Sequence, residues 1–101
     1  MRITGGDWSF VSLRGQNLTG AKLGGLRLKE ADLTDADLSR ADLRKADLSY
    51  ARLQNATLSG TDLRGADLSA VDLKAVSLSG AKIDVVQAVQ FATAHGAVVS
   101  D

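Results

Sequence analysis

Leucine stands at every fifth position from Leu13 to Leu78, fourteen times in succession and without a slip of phase. Trp8 and Ile3 extend the column in one direction and Ile83 in the other. A period of five matches neither the 3.6 of a helix nor the 2 of a strand, so it marks a repeat architecture. Two residues before the leucines runs a second column of small residues: Ala21, Ala31, Ala36, Ala41, Ala46, Ala51, Ala56, Ala66 and Ala81. Val11, Leu26, Val71 and Val76 are larger apolar interruptions of it, and Gln16 and Thr61 are polar ones. Between the columns lies a polar residue, most often aspartate, as at Asp32, Asp37, Asp42, Asp47, Asp62, Asp67 and Asp72. The in-out-in pattern resembles a short strand, and the two following polar or glycine residues must turn the chain before the next one begins. Turning repeatedly in one sense coils the chain, and each five buries its apolar side only against its neighbours.

Ala-Asp-Leu-x-x in tandem, as in Ala31-Asp-Leu-Thr-Asp-Ala-Asp-Leu-Ser-Arg-Ala-Asp-Leu-Arg-Lys, resembles the pentapeptide-repeat family over residues 6–83. The period alone does not say how many sides a coil has. The resemblance implies an all-β solenoid, a right-handed quadrilateral β-helix with four pentapeptides to the coil, and therefore about four coils here, roughly 20 Å tall. Residues twenty apart then stack: Thr19, Ser39, Ser59 and Ser79 as a hydroxyl column, Asp47 under Asp67, and Asp42 under Asp62. Lys22 and Lys82 flank the second acidic pair and Arg27 precedes the first, which makes the surface a mosaic of charge.

After Ile83 the pattern changes. Asp84 is a helix N-cap with Gln87 three residues on, a capping-box spacing. Val85, Ala88, Val89 and Ala92 share a helical face, Val86 and Phe91 widen it, and Gly96 after His95 is a stop. Ala97-Val-Val99 reads as extended. The expected organisation is one domain, with the β-helix over 1–83 and a capping helix with a short tail over 84–101. The cap would cover the last coil's leucines and its unpaired backbone edge. The opposite end shows no such helix, and Trp8 is expected to fold over it.

The segment Ser79–Ala97 is also similar to the C-terminal part of the MfpA and Qnr-type proteins. That resemblance implies a solenoid cap that contributes to a homodimer, for which Val85, Val89, Phe91, Val98 and Val99 are the candidate interface. It further implies binding to DNA gyrase, protection from quinolones, and partial imitation of duplex DNA. The chain has about half the length of those proteins, and DNA mimicry calls for negative charge to match a phosphate-binding site. Lys+Arg and Asp+Glu are both 12, so the formal charge is zero. Two functions follow as expectations: a scaffold that binds DNA gyrase or a related topoisomerase, and a generic interaction scaffold with an unrelated cytosolic partner.

The residues carry little chemistry. Cysteine is absent, His95 is the single histidine, and the aspartates recur as a lattice that separates them, so neither a catalytic site nor a metal or cofactor is expected. Their simplest role is bonding the local backbone at turns. Glycines such as Gly20, Gly60 and Gly80 fall at corners. Charge balance disfavours direct nucleic-acid binding, and no stretch has the length or apolarity of a membrane span. No signal-peptide pattern opens the chain, and a cytoplasmic, soluble protein is expected. Partner contact is assigned to Trp8 and Phe10 as aromatic anchors. A mixed patch expected near one corner adds Glu30, Arg44, Lys45, Tyr50 and Arg64.

Overall fold

The structure, a computed structural model, describes residues 7–100, so Ile3 of the apolar column lies outside it. The chain pairs with itself twenty residues on, always in parallel: Asp7 with Arg27, Ser12 with Asp32, Asn17 with Asp37, Lys22 with Asp42, and onward to Asp62 with Lys82. A coil therefore takes twenty residues, four five-residue sides, as the family resemblance implied. Each side contributes one bridge residue rather than a strand, because the other four positions are used in burying the flanking apolar side chains and in turning. Around a bridge the ladder is regular. Leu13 N–H donates to Asp32 O at 2.8 Å and Asp32 N–H donates to Val11 O at 2.9 Å.

The corner is made the same way in repeat after repeat. The leucine carbonyl accepts from the amide three residues on, as in Ala21 N–H to Leu18 O at 3.0 Å. The third residue of that turn has positive φ, which a type II turn requires. Gly20 (φ 69°) and Gly60 (φ 73°) adopt it freely, whereas Glu30, Asp35, Arg40, Lys45, Tyr50 and Asn55 adopt it at φ near 60° despite their side chains. The aspartates brace the same corner. The Oδ1 atoms of Asp32, Asp37, Asp42 and Asp47 each accept the amide two residues on at 3.0 Å. The backbone-bonding role expected of them is what the structure shows.

Leucines fill the interior and alanines let the wall approach it; Leu23, Leu28, Leu33, Leu38, Leu43 and Leu48 are fully buried. Thr61 occupies an alanine slot without leaving a bare hydroxyl, since its Oγ1 donates to Leu38 O at 2.6 Å. The molecule measures 42 × 21 × 19 Å, a rod of nearly square section.

The ladder opens once. Among the described residues no bridge joins Arg52 to Asp72 or Thr57 to Ser77. The corner at Ala75 is replaced by a 3-10 turn over Leu73–Ala75. Val71 and Val76 stand in the slots that Ala31, Ala51, Ala36 and Ala56 fill below them, but size alone does not open the ladder, since Val11 and Leu26 fill such slots beside intact bridges. A cleft of ≈ 420 Å³ lies at the opening, between Asn55–Ser59 and the Ala75, Ser77 and Ser79 side. Pairing resumes with Gly60 N–H on Gly80 O, one residue out of the earlier register, so Ser79 ends the hydroxyl column imperfectly.

Helix α1 (Val85–Ala94) follows and starts as its sequence indicated: Asp84 Oδ1 accepts Gln87 N–H at 2.8 Å and Gln87 Oε1 accepts Asp84 N–H at 3.0 Å. Both capping residues also hold the helix to the solenoid. Asp84 Oδ2 accepts Gly65 N–H at 2.7 Å, and Gln87 Nε2 donates to Leu63 O and Ala66 O. Gln87 and Phe91 are the buried residues of α1, with Ala94 packed partly against the core. The helix therefore turns Gln87 and Phe91 inward, and Val85, Val86 and Val89 face solvent. Residues 97–100 form no strand.

Candidate protein-interaction surface

Four faces result from the twenty-residue coil, each a bridge column with the corner that follows it. Their outward residues come from successive coils and are held rigidly by the ladder, so a partner would meet a preformed surface. Charge is neutral in total but unevenly placed. The face bridged through Asp7, Arg27, Asp47 and Asp67 carries, with Lys29 and Glu30 at its edge, more acids than bases. The face bridged through Lys22, Asp42, Asp62 and Lys82 adds Arg44, Lys45 and Arg64 and is basic on balance. Stacking of Asp47 with Asp67 and of Asp42 with Asp62 is as expected, with Arg27, Lys22 and Lys82 completing the same columns.

The two arginines of the basic face are engaged by its aspartates. Arg44 Nε and Nη2 grip Asp42 at 3.0 Å each, and Arg64 does the same to Asp62 at 2.9 and 2.6 Å. Arg44 Nε also lies 3.9 Å from Asp62 Oδ2, which links the two coils. The hydrogen bonds from Arg64 are the largest influence holding the Asp62 carboxyl down to about 2. Asp37 and Asp47 are also held below the usual carboxylate range, first by the hydroxyls of Ser39 and Ser49 and then by their amides. These carboxylates remain charged at neutral pH. Arg44 and Arg64 are correspondingly poor phosphate ligands, because each already neutralises an aspartate.

The residues assigned to one mixed patch divide between two successive corners. Arg44 and Lys45, with Arg64 one coil on, lie at the turn closing the basic face, whereas Glu30 and Tyr50 lie at the turn closing the acidic face. A side with its own bridge, at Asp47, separates them. The reason is the twenty-residue coil: residues five apart occupy neighbouring corners however close they are in sequence. The structure instead brings Phe10, Glu30 and Tyr50 into one column. Their amides donate to Lys29 O, Ser49 O and Ser69 O of the succeeding coils. Phe10 is 71% and Tyr50 56% exposed, and Lys29 Nζ lies 5.8 Å from the Tyr50 ring centroid. Trp8 is different, being partly buried and packed against the core, with its amide donating to Arg27 O. It fills the end of the leucine column more than it projects from it.

At the C-terminal end, Val85, Val89, Val98 and Val99 are exposed and Phe91 is not. Phe91 is withdrawn from the candidate dimer interface, because at 6% exposure it belongs to the core of its own chain. Helical spacing showed an apolar stripe but not which edge of it turns inward. The two hydrogen bonds of Gln87 into the solenoid decide that, and a glutamine gives no apolar signal to reveal it. No group of His, Cys, Asp or Glu among the described residues could hold a metal ion. No helix among them is long and apolar enough to cross a membrane.

The pentapeptide-repeat family model matches eight copies, over residues 3–35, 12–49 and 51–84. No curated protein is significantly similar in sequence. Among solved structures the chain is similar to QnrB1, described as a plasmid-mediated fluoroquinolone resistance protein, with TM-score 0.80 and 25% identity. The match covers 94% of this chain and 45% of that one, so the chain spans less than half of QnrB1. It is also similar to the pentapeptide repeat protein Rfr23 of the cyanobacterium Cyanothece 51142, at 33% identity and TM-score 0.64, covering 78% of this chain and 50% of that one. A third likeness is to alr5209 of Nostoc, a pentapeptide repeat protein, at 31% identity and TM-score 0.50, covering 82% and 80%.

Proposed function

The chain belongs to the pentapeptide-repeat family, and from that premise we propose that it is a non-enzymatic scaffold that binds another protein, DNA gyrase being the specific partner inferred. In this reading the solenoid is a right-handed quadrilateral β-helix of about four coils closed by α1, and it acts in the cytoplasm. The observation that carries the gyrase reading is the likeness to QnrB1 over 94% of the chain, α1 region included. The acidic face adds to it, since a site built for DNA phosphates attracts negative charge. Two copies joined through Val85, Val89, Val98 and Val99 would bury the exposed valines of α1 and the tail and lengthen the rod.

A generic scaffold with an unrelated partner is the second reading. It is favoured by the zero formal charge and by similarity to Rfr23 at higher identity. A supercoiling assay with purified gyrase, with and without a quinolone, separates the two. The gyrase reading expects the protein to inhibit supercoiling or to relieve quinolone inhibition. No effect at tens of micromolar protein removes that reading and leaves the scaffold.

A further inference from the structure

The corner that closes the acidic face carries a feature the fold does not need. The third turn position demands positive φ, and glycine meets it without cost at Gly15, Gly20 and Gly25. Bulky side chains are disfavoured there. Phe10 (φ 64°) and Tyr50 (φ 60°) nevertheless occupy that position, two coils apart in one column, with Glu30 (φ 58°) between them. Neither ring is among the side chains that pack on the core, and both are mostly exposed. Two aromatic side chains in an unfavourable backbone conformation, turned to solvent on either side of one carboxylate, point to a contact with another molecule.

We propose that Phe10, Glu30 and Tyr50 form a docking ridge for a basic amphipathic helix of a partner protein. Two coils at strand spacing place the aromatic positions about 10 Å apart. Seven residues of an α-helix rise about 10.5 Å, so apolar side chains at i and i+7 of a helix lying along the rod meet one ring each. A lysine or arginine at i+3 or i+4 falls opposite Glu30. The bridge column beside the ridge, with Asp7, Asp47 and Asp67 against Arg27, extends the acidic field that selects a cationic partner. Lys29 lies over Tyr50, where it screens one side of the ring without reversing the acidic balance of the face.

The ridge rests on the scaffold reading and is independent of gyrase. Its test uses two synthetic helical peptides, one patterned with leucine and lysine so that leucines fall at i and i+7, the other with glutamate for every lysine. Each is titrated calorimetrically into the full chain and into the Phe10→Gly/Tyr50→Gly variant. Glycine suits this turn position, so the variant is expected to fold with no loss of Tm. Phe10→Asn/Tyr50→Asn, matching Asn55 in the same conformation, repeats the measurement on a second background. The Leu–Lys peptide should bind the natural chain and lose about tenfold or more in affinity with either double variant. Glu30→Gln should lose about threefold and flatten the salt dependence. The Leu–Glu peptide should not bind. Failure of the Leu–Lys peptide to bind, equal binding to the double variants, or equal binding of the Leu–Glu peptide overturns the ridge. Binding that is unchanged by the variants overturns the ridge while leaving the scaffold reading intact. Peptide binding together with inactivity toward gyrase supports the ridge and removes only the gyrase reading.

Discussion

The coils up to Ala70 and the segment from Val71 to Ile83 share one leucine column, yet they are held differently. In the first region every side has its parallel bridge, its turn bond and, in most repeats, an aspartate bracing the corner. In the second, two bridges are missing, Ala75 leaves the positive-φ position for a 3-10 turn, and Leu78 is only partly buried. The leucine pattern alone does not close the ladder. The regular corner must also be present: where the positive-φ turn gives way to the 3-10 turn, the amides of Leu53 and Leu58 in the coil below lose their partners. In the second region the 3-10 turn packs against α1, and α1 is itself tied to the first region, where Asp84 and Gln87 bond to Gly65, Leu63 and Ala66.

Truncating a leucine tests the contrast most strongly. Leu38→Ala, at a fully buried site closed in by coils on both sides, should cost about 3–5 kcal/mol in urea unfolding. Leu78→Ala should cost about 1 kcal/mol, since less of the side chain leaves water on folding. Equal losses would show that the two regions are packed alike. Gln87→Ala comes next. It exposes the Leu63 and Ala66 carbonyls and removes half of the capping box, a loss of about 1–3 kcal/mol. Hydrogen exchange should then accelerate at α1 and at Leu73–Ala75 before it does at Leu33–Leu48. Uniform acceleration would mean that the helix and the regular coils unfold as one unit. The smallest global effect is expected from Ala75→Gly/Val76→Ala, which restores the small slot and the turn residue of the regular repeats. Stability should change by less than about 1 kcal/mol, since lost burial offsets gained pairing. The amides of Leu53 and Leu58, which donate to no backbone carbonyl among the described residues, should become protected. Unchanged exchange at those two amides would locate the cause of the open ladder somewhere other than the wall residues.

Much of this was legible because a five-residue repeat writes its geometry locally. Leucine inward, aspartate bonding the amide two residues on, and a turn residue with positive φ all act within one repeat or between adjacent ones. The Asp84–Gln87 capping box and the Gly96 stop were equally local. Helical periodicity places Phe91 on the apolar stripe of α1 but does not give the stripe's orientation, and Phe91 lies on the inward edge. The mixed patch divides because Lys45 and Tyr50, five residues apart, occupy neighbouring corners of a twenty-residue coil. The capping role of Gln87 is local and legible, whereas its bonds to Leu63 and Ala66 join residues more than twenty apart and are not.

The sequence by itself determined the repeat, its interior column, its turn positions and the start of α1, because each is an energy minimum of a few neighbouring residues. The tertiary structure decided which residues become neighbours across coils. A period of five is compatible with any number of sides, and backbone pairing at twenty residues selects four. That choice put Phe10, Glu30 and Tyr50 on one ridge and brought Arg44 within 3.9 Å of Asp62 on the succeeding coil, while Val85 and Val89 turned outward when Gln87 found its carbonyls.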